Sequence, residues 1–232
     1  MPEPDWQMAS NLFIQMSGAP GSGKSTIASL LRQSFNGITI DHDVIRSALL
    51  DHDSVLFDHT AKRAYHLQWT FAEEMMKHGF NVIVDSTCNF QEILDQGSAL
   101  CEKYNFTYWY IECHVDDIDL LDERLRARQS MKSQRTSVYC PPAAASSARV
   151  GEDSRAVFRK WIESPCRPER NAVIVNSRGS PETQRNHILA RILGQRGLQL
   201  ESSTIRGSGD NLRWVDCDEQ DAIVVPKAKF RQ

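Results

Sequence analysis

The sequence predicts an α/β fold of three layers, a mainly parallel β-sheet flanked by helices. Three observations carry that expectation. Short runs rich in Val, Ile, Leu and aromatic residues alternate with longer segments whose apolar residues recur at helical spacing. Such alternation implies right-handed crossovers, strands running the same way, and helices on both faces of the sheet. A glycine-rich turn at residues 18–25, GAPGSGKS, joins the first apolar run to the first helical pattern. The chain of 232 residues, 41% hydrophobic and 25% charged, also has the length and composition of a globular protein with a substantial core.

Taken in order, residues 1–10 form an acidic N-terminal extension without the apolar stretch of a secretory signal. Residues 12–16 read as a buried strand, and Ile27, Leu30 and Leu31 open a helix. GITID at 37–41 is a short strand, and 44–50 a short helix. Ala61, Ala64, Leu67, Phe71 and Met75 mark a helix over 59–79, with Gly79 placed to end it. Strands follow at 80–85 and 106–115, helices near 91–103 and at 118–128, a last core strand at 172–177 and a last helix at 181–197. The main domain is thus expected over 11–197.

Two segments break the rhythm. Residues 129–151 are polar and rich in Ser, Ala and Pro. Loops of that length are either functional or disordered. A mobile lid, placed after an arginine-rich helix end, is one reading, and a disordered insertion is the other. Residues 198–232 carry one apolar run, AIVV at 222–225, and fit a tail, a hairpin or an added edge strand.

The turn has a chemistry of its own. Gly18, Ala19, Pro20, Gly21, Ser22, Gly23, Lys24 and Ser25 fit G-x-x-x-x-G-K-[ST], the phosphate-binding loop. Glycines let the backbone wrap an anion with its N–H groups turned inward, and the next helix aims its positive end at the same place. Lys24 is positioned for the β- and γ-phosphates of a nucleotide, and the Ser25 hydroxyl for Mg²⁺. Thr26 continues the loop into the helix. Strand-to-helix context on both sides is the setting this motif needs.

Other residues sit where such a loop would need them. In an open parallel sheet, ligands bind beyond the carboxyl ends of the strands. The second strand ends in DHDVIR, which places Asp43 and Arg46 three apart on one helical face. A carboxylate there can accept a proton from a hydroxyl, and an arginine can hold an anion or developing charge. Asp43 could equally serve as a helix N-cap. The third strand ends in Asp85, a candidate for holding Mg²⁺ through water or for orienting substrate. Arg124 and Arg128 share a helix face, with Arg126 opposite; such a pair would stabilise phosphoryl charge, or complement the helix C-terminus.

Composition excludes several alternatives. With a formal net charge of −3, no broad positive field draws the chain to nucleic acid or an anionic membrane. The six cysteines lack C-x-x-C spacing, which argues against a zinc site and a disulfide scaffold. No apolar run approaches membrane-span length. The Asp-His pairs at 41–42, 51–52 and 58–59 are not a metal motif, because adjacent residues rarely converge on one ion. A reduced, cytoplasmic setting is expected.

The set GAPGSGKST, DHDVIR, NVIVDST, RLRAR and AVIVNS resembles the P-loop kinases grouped as AAA-domain, zeta-toxin-like and polynucleotide-kinase-like proteins. The resemblance covers residues 12–197. It implies Lys24 and Ser25 on phosphates and Mg²⁺, Asp43 as base, Arg46 on substrate and Arg128 as lid arginine. It further implies ATP and Mg²⁺ as cofactors and a small-molecule hydroxyl as phosphate acceptor. A 5′-hydroxyl polynucleotide kinase and a nucleotide-hydrolysing switch are the alternatives.

Overall fold

A computed structural model of the protein describes residues 11–51, 57–142, 144, 145 and 153–204. The N-terminal extension, residues 146–151 of the expected lid, and the tail beyond residue 204 lie outside the described residues. The chain divides into two compact units, Met1–Arg196 and Gly197–Gln232.

Within the first unit the expected alternation holds. The described elements are β1 (Leu12–Ser17), α1 (Lys24–Phe35), β2 (Ile38–Asp41), α2 (His42–Leu49), α3 (Phe57–Lys77), β3 (Val82–Asp85), α4 (Gln91–Tyr104), β4 (Thr107–His114), α5 (Ile118–Ala127), α6 (Ser154–Glu163), β5 (Ala172–Asn176) and α7 (Pro181–Thr204). The five strands pair in parallel in the order β2-β3-β1-β4-β5. The order reverses direction at β1, so the crevice beyond its carboxyl end is the natural ligand position.

Alternation along β1 explains the two faces. Leu12, Ile14 and Met16 pack with Ile27 and Leu31 of α1 and with Ile188 and Ile192 of α7. Phe13 points the other way, among Trp69 and Met76 of α3 and Leu94 of α4. All six residues of β1 are buried, as expected of a central strand covered on both sides. A third cluster joins Leu121 and Leu125 of α5 to Phe158 and Ile162 of α6 and to Val138 of the intervening segment. Helix α6 was not foreseen in the sequence. Gly79 takes φ 77° just past α3 and returns its N–H to the Met76 carbonyl, as a helix-ending glycine should.

One buried ion pair anchors the chain between α6 and β5. Glu112 on β4, 2% exposed, accepts from Arg167 Nε and Nη2 at 2.7 Å each, and from the Tyr110 hydroxyl at 3.1 Å. Burial alone would raise the Glu112 carboxyl. The bonds from Arg167, His114 and Tyr110 outweigh it and hold the group at about 2.

Gly97 in α4 carries a testable consequence. Alanine normally stabilises a helix interior over glycine by about 1 kcal/mol. Here a Cβ would meet Tyr108 Cε2 at 2.7 Å and Phe13 Cε1 at 3.3 Å. Those two rings stack at 5.7 Å, with Trp69 beyond Phe13 at 6.1 Å. Overpacking costs about 1–3 kcal/mol. Gly97→Ala is therefore expected to lower the melting temperature, and a raised one in thermal unfolding would show that the ring stack yields.

Candidate functional site

The turn between β1 and α1 is built by close approach. Gly18 has φ 128°, and a Cβ there would lie 2.3 Å from the Cys113 carbonyl of β4. No side chain fits that position. Gly23, at φ 92°, is the N-cap of α1 without a side-chain cap, and the first turn of α1 holds no acidic residue. The free N–H groups and positive end of a twelve-residue helix therefore face the loop unneutralised. Lys24 Nζ donates to the Ala19 carbonyl at 3.2 Å, spanning the loop.

Parallel pairing puts two carboxylates side by side. Asp41 and Asp85 are register partners at the ends of β2 and β3. Asp41, not Asp43, caps α2: its Oδ1 accepts from the N–H groups of Asp43 (2.7 Å) and Val44 (3.3 Å). The extended backbone of Asp41 persists to the helix boundary, and that conformation defines the cap. Asp43 is thereby released from capping and lines the cleft. Burial, then repulsion from Asp85 and Asp43, pushes the Asp41 carboxyl up to about 6. Burial also raises Asp85, against the opposing pull of Lys24 and the Ser25 hydroxyl beside it. His42 packs on Tyr65 with ring centroids 4.0 Å apart. Burial lowers it to about 4, so its ring is neutral near pH 7, with Asp43 opposing the shift and Arg46 adding to it.

Asp85 offers the donor a hard cation needs. Its Oδ2 is buried and has no partner among the described residues, and Ser25 stands next to it. Two protein oxygens beside the phosphate loop suit Mg²⁺, a hard cation that takes few protein ligands and fills the rest of its shell with phosphate and water. Among the described residues, no group of three His, Cys, Asp or Glu gathers as a metal site.

The arginines divide by role. Arg46 lies 3.9 Å over the Phe57 ring and donates to Thr60 Oγ1 (3.0 Å) and the Phe57 carbonyl (3.2 Å), which fixes it against α3. Arg124 donates to the Ser177 carbonyl at 2.7 Å. Arg126 turns away to Asp122 at 2.6 Å. Arg128 donates to the Arg135 carbonyl at 3.3 Å, while its buried Nε has no partner among the described residues.

These groups line two clefts. One, of about 470 Å³, runs from Gly21, Ser22, Gly23 and Thr26 past Arg124 to Ser177 and Gln184. The other, of about 200 Å³, holds Pro20, Asp41, Asp43, Arg46, Tyr65 and Asp85. Lys24, Ser25 and Arg128 line both. Gly18 and Ala19 line neither: Gly18 packs on β4, and Ala19 is buried toward α5 and α6.

Residues 13–158 match the family described as AAA domain. This chain belongs to that family. The match takes in the phosphate loop, the Asp43 helix, Asp85 and the arginines of α5. No curated protein matches the chain. Among solved structures, it is similar to a provisionally assigned kinase from Chloroflexus aurantiacus, with TM-score 0.60 and 15% identity over 81% of this chain and 98% of that one. A sugar kinase from a Janibacter species gives 0.53 and 14%, over 78% and 93%. A gluconokinase from Sinorhizobium meliloti gives 0.53 and 14%, over 82% and 97%. At such identities the shared property is the fold, here the P-loop NTPase fold, a parallel sheet between helices.

Ser177, Gly179, Pro181 and Gln184 were not foreseen as cleft residues, nor were Tyr65, Thr87, Ser133, Gln134 and Trp161. The first group follows the end of β5, where the strand-end rule already pointed. Trp161 arrives on the unforeseen α6.

The Asp41 carboxyl makes stability depend on pH. Its folded value, about 6, lies above the ordinary 3.8, so its contribution is present below pH 3.8 and is lost as pH rises through 6. Asparagine caps as well as aspartate and carries no charge. Asp41→Asn is expected to melt above wild type at pH 7.5, with the gap closing toward pH 4. Parallel melting curves across that range would contradict it.

Proposed function

We propose that the protein is an ATP- and Mg²⁺-dependent phosphotransferase that phosphorylates a hydroxyl of a small-molecule metabolite. The observation that carries this reading is the pair of clefts meeting at Lys24, Ser25 and Arg128, with Asp43 on the side away from the glycines. A switch that only hydrolyses nucleotide has no need of a second cleft carrying a carboxylate. The kinases among proteins of similar fold support the same reading.

In this reading the backbone of Gly21–Gly23 and the α1 N-terminus hold the polyphosphate, and Lys24 bridges its β- and γ-groups. Ser25 and Asp85 would hold Mg²⁺, which supplies charge neutralisation at the phosphates. Arg128, reaching both clefts, faces the transferring group from the other side. Asp43 accepts the acceptor's proton as its oxygen attacks in line, and Arg46, braced on Phe57, orients the acceptor. The modest volume of the second cleft favours a metabolite over a polynucleotide, as does the formal net charge of −3. A reduced cytoplasmic setting completes the proposal. Among the described residues no helix is long and apolar enough to cross a membrane.

The experiment is incubation with ATP·Mg²⁺ and a panel of hydroxyl acceptors covering sugar acids, polyols, nucleosides and 5′-hydroxyl oligonucleotides, read by product mass. Lys24→Ala is expected to cut turnover by at least ~10²-fold without unfolding the protein. Asp43→Asn is expected to lose ~10²–10⁴-fold in rate while keeping ATP affinity. Transfer at the wild-type rate by Asp43→Asn would move the base to Asp41 or Asp85. Phosphorylation of the oligonucleotides alone would favour the polynucleotide reading.

A further inference from the structure

Asp43, Ser47 and Asp51 follow at intervals of four along α2 and the turn after it, so they form one stripe. The segment after α5 crosses that stripe in the opposite direction. Lys132 Nζ pairs with Asp51 Oδ1 at 2.5 Å. The Ser133 N–H donates to Ser47 Oγ at 3.2 Å, and the two hydroxyls lie 2.9 Å apart. The Ser133 hydroxyl donates to the Asp43 carbonyl at 3.0 Å and stands 3.4 Å from Asp43 Oδ1. Gln134 Nε2 donates to Asp43 Oδ2 at 3.0 Å.

The Gln134 amide is committed at both ends. Its Oε1 accepts from the Met131 N–H at 3.2 Å, which fixes which end faces Asp43. The segment itself is closed on Arg135, whose carbonyl accepts from Arg128 Nη2 and Ser130 Oγ, each at 3.3 Å. Arg135 is buried against Phe158 and Trp161, at 5.7 and 5.8 Å from their ring centroids. Gln134 therefore stands on a braced loop rather than a free one.

We propose that Gln134 is a positioning residue for Asp43, and that the loop from Arg128 to Arg135 sets the nucleotide-side arginine and the acceptor-side carboxylate together. This rests on Asp43 being the base in the reaction proposed above. An ionised carboxylate has about four acceptor positions. Gln134 takes one on Oδ2 and fixes the plane of the group, which leaves others for the acceptor hydroxyl. Lys132 and Ser133 keep the loop in register along α2; Ser133 makes its shorter bond to the Asp43 carbonyl, at 3.0 Å, and only a longer one, at 3.4 Å, to Oδ1.

The test is a four-member cycle of wild type, Gln134→Ala, Asp43→Asn and the double variant. ADP release from ATP·Mg²⁺ is measured with a pool of sugar acids, polyols and nucleosides. Gln134→Ala is expected to lower kcat roughly tenfold, the worth of one bond to a charged group, with KM for ATP unchanged. In the Asp43→Asn background the same change is expected to cost nothing further, because Gln134 acts through the carboxylate. Multiplying losses in the double variant would overturn the proposal and leave Asp43 standing as base. Full activity in Asp43→Asn, or no turnover of the pool by wild type, would overturn the base reading and this proposal with it. A faster Gln134→Ala would make the contact a latch rather than a support, and also overturns it. Should Gln134→Ala fail to fold, Gln134→Met keeps the length without the donor and takes its place in the cycle.

Discussion

The approach of the phosphate loop to its neighbours is the constraint on which the site depends. At Gly18 the backbone passes so near the Cys113 carbonyl that a Cβ would sit 2.3 Å from it. At Gly21 a Cβ would come within 2.9 Å of the Leu121 carbonyl. The first contact seats the loop on β4, where β1 and β4 pair from Leu12↔Thr107 to Ser17↔Glu112. The second presses it onto α5, the helix that ends beside Arg124 and Arg128. Bulk at Gly21 would push α5 outward and carry both arginines away from the loop, and bulk at Gly18 would lift the loop off β4. The glycines thus serve packing as much as phosphate binding.

Around that loop, charge is concentrated rather than neutralised. Asp41, Asp43 and Asp85 share one cleft with Lys24, Arg46 and Arg128. Burial raises both Asp41 and Asp85, so the fold maintains them against their preference for water. The buried Glu112, by contrast, is matched by Arg167, Tyr110 and His114 and sits well below the usual carboxylate range. The difference separates the two kinds of buried acid: one is satisfied in place, the others are left with capacity for something more.

Much of this was legible in the sequence, for local reasons. Strands were visible because central parallel strands are buried on both faces and so mostly apolar, and the long helices because their apolar residues recur regularly. The phosphate loop was visible because its glycines and Lys24 are adjacent in the chain. Helix α6 was not, because only Phe158 and Ile162 of its ten residues are buried, and the segment before it is rich in Ala and Ser. The cap of α2 was misplaced because DHD holds two aspartates two residues apart, and only the backbone conformation at Asp41 decides between them. The lid reading over 129–151 took in Ser133 and Gln134, but nothing joined them to Asp43, because that partner lies about ninety residues away and no motif links the two.

The stripe on α2 has an evolutionary corollary. Contacts at 43, 47 and 51 are spaced by the helical turn, while their partners at 134, 133 and 132 are consecutive in a tight turn that the Gln134 N–H closes on the Met131 carbonyl at 2.9 Å. The two rulers agree at a single offset. A one-residue insertion or deletion between Arg128 and Lys132 would slide every pair out of step at once, whereas most point changes would remove only one. Length in this stretch is therefore expected to vary less among relatives than the residues that fill it, with indels falling beyond Arg135 rather than ahead of it.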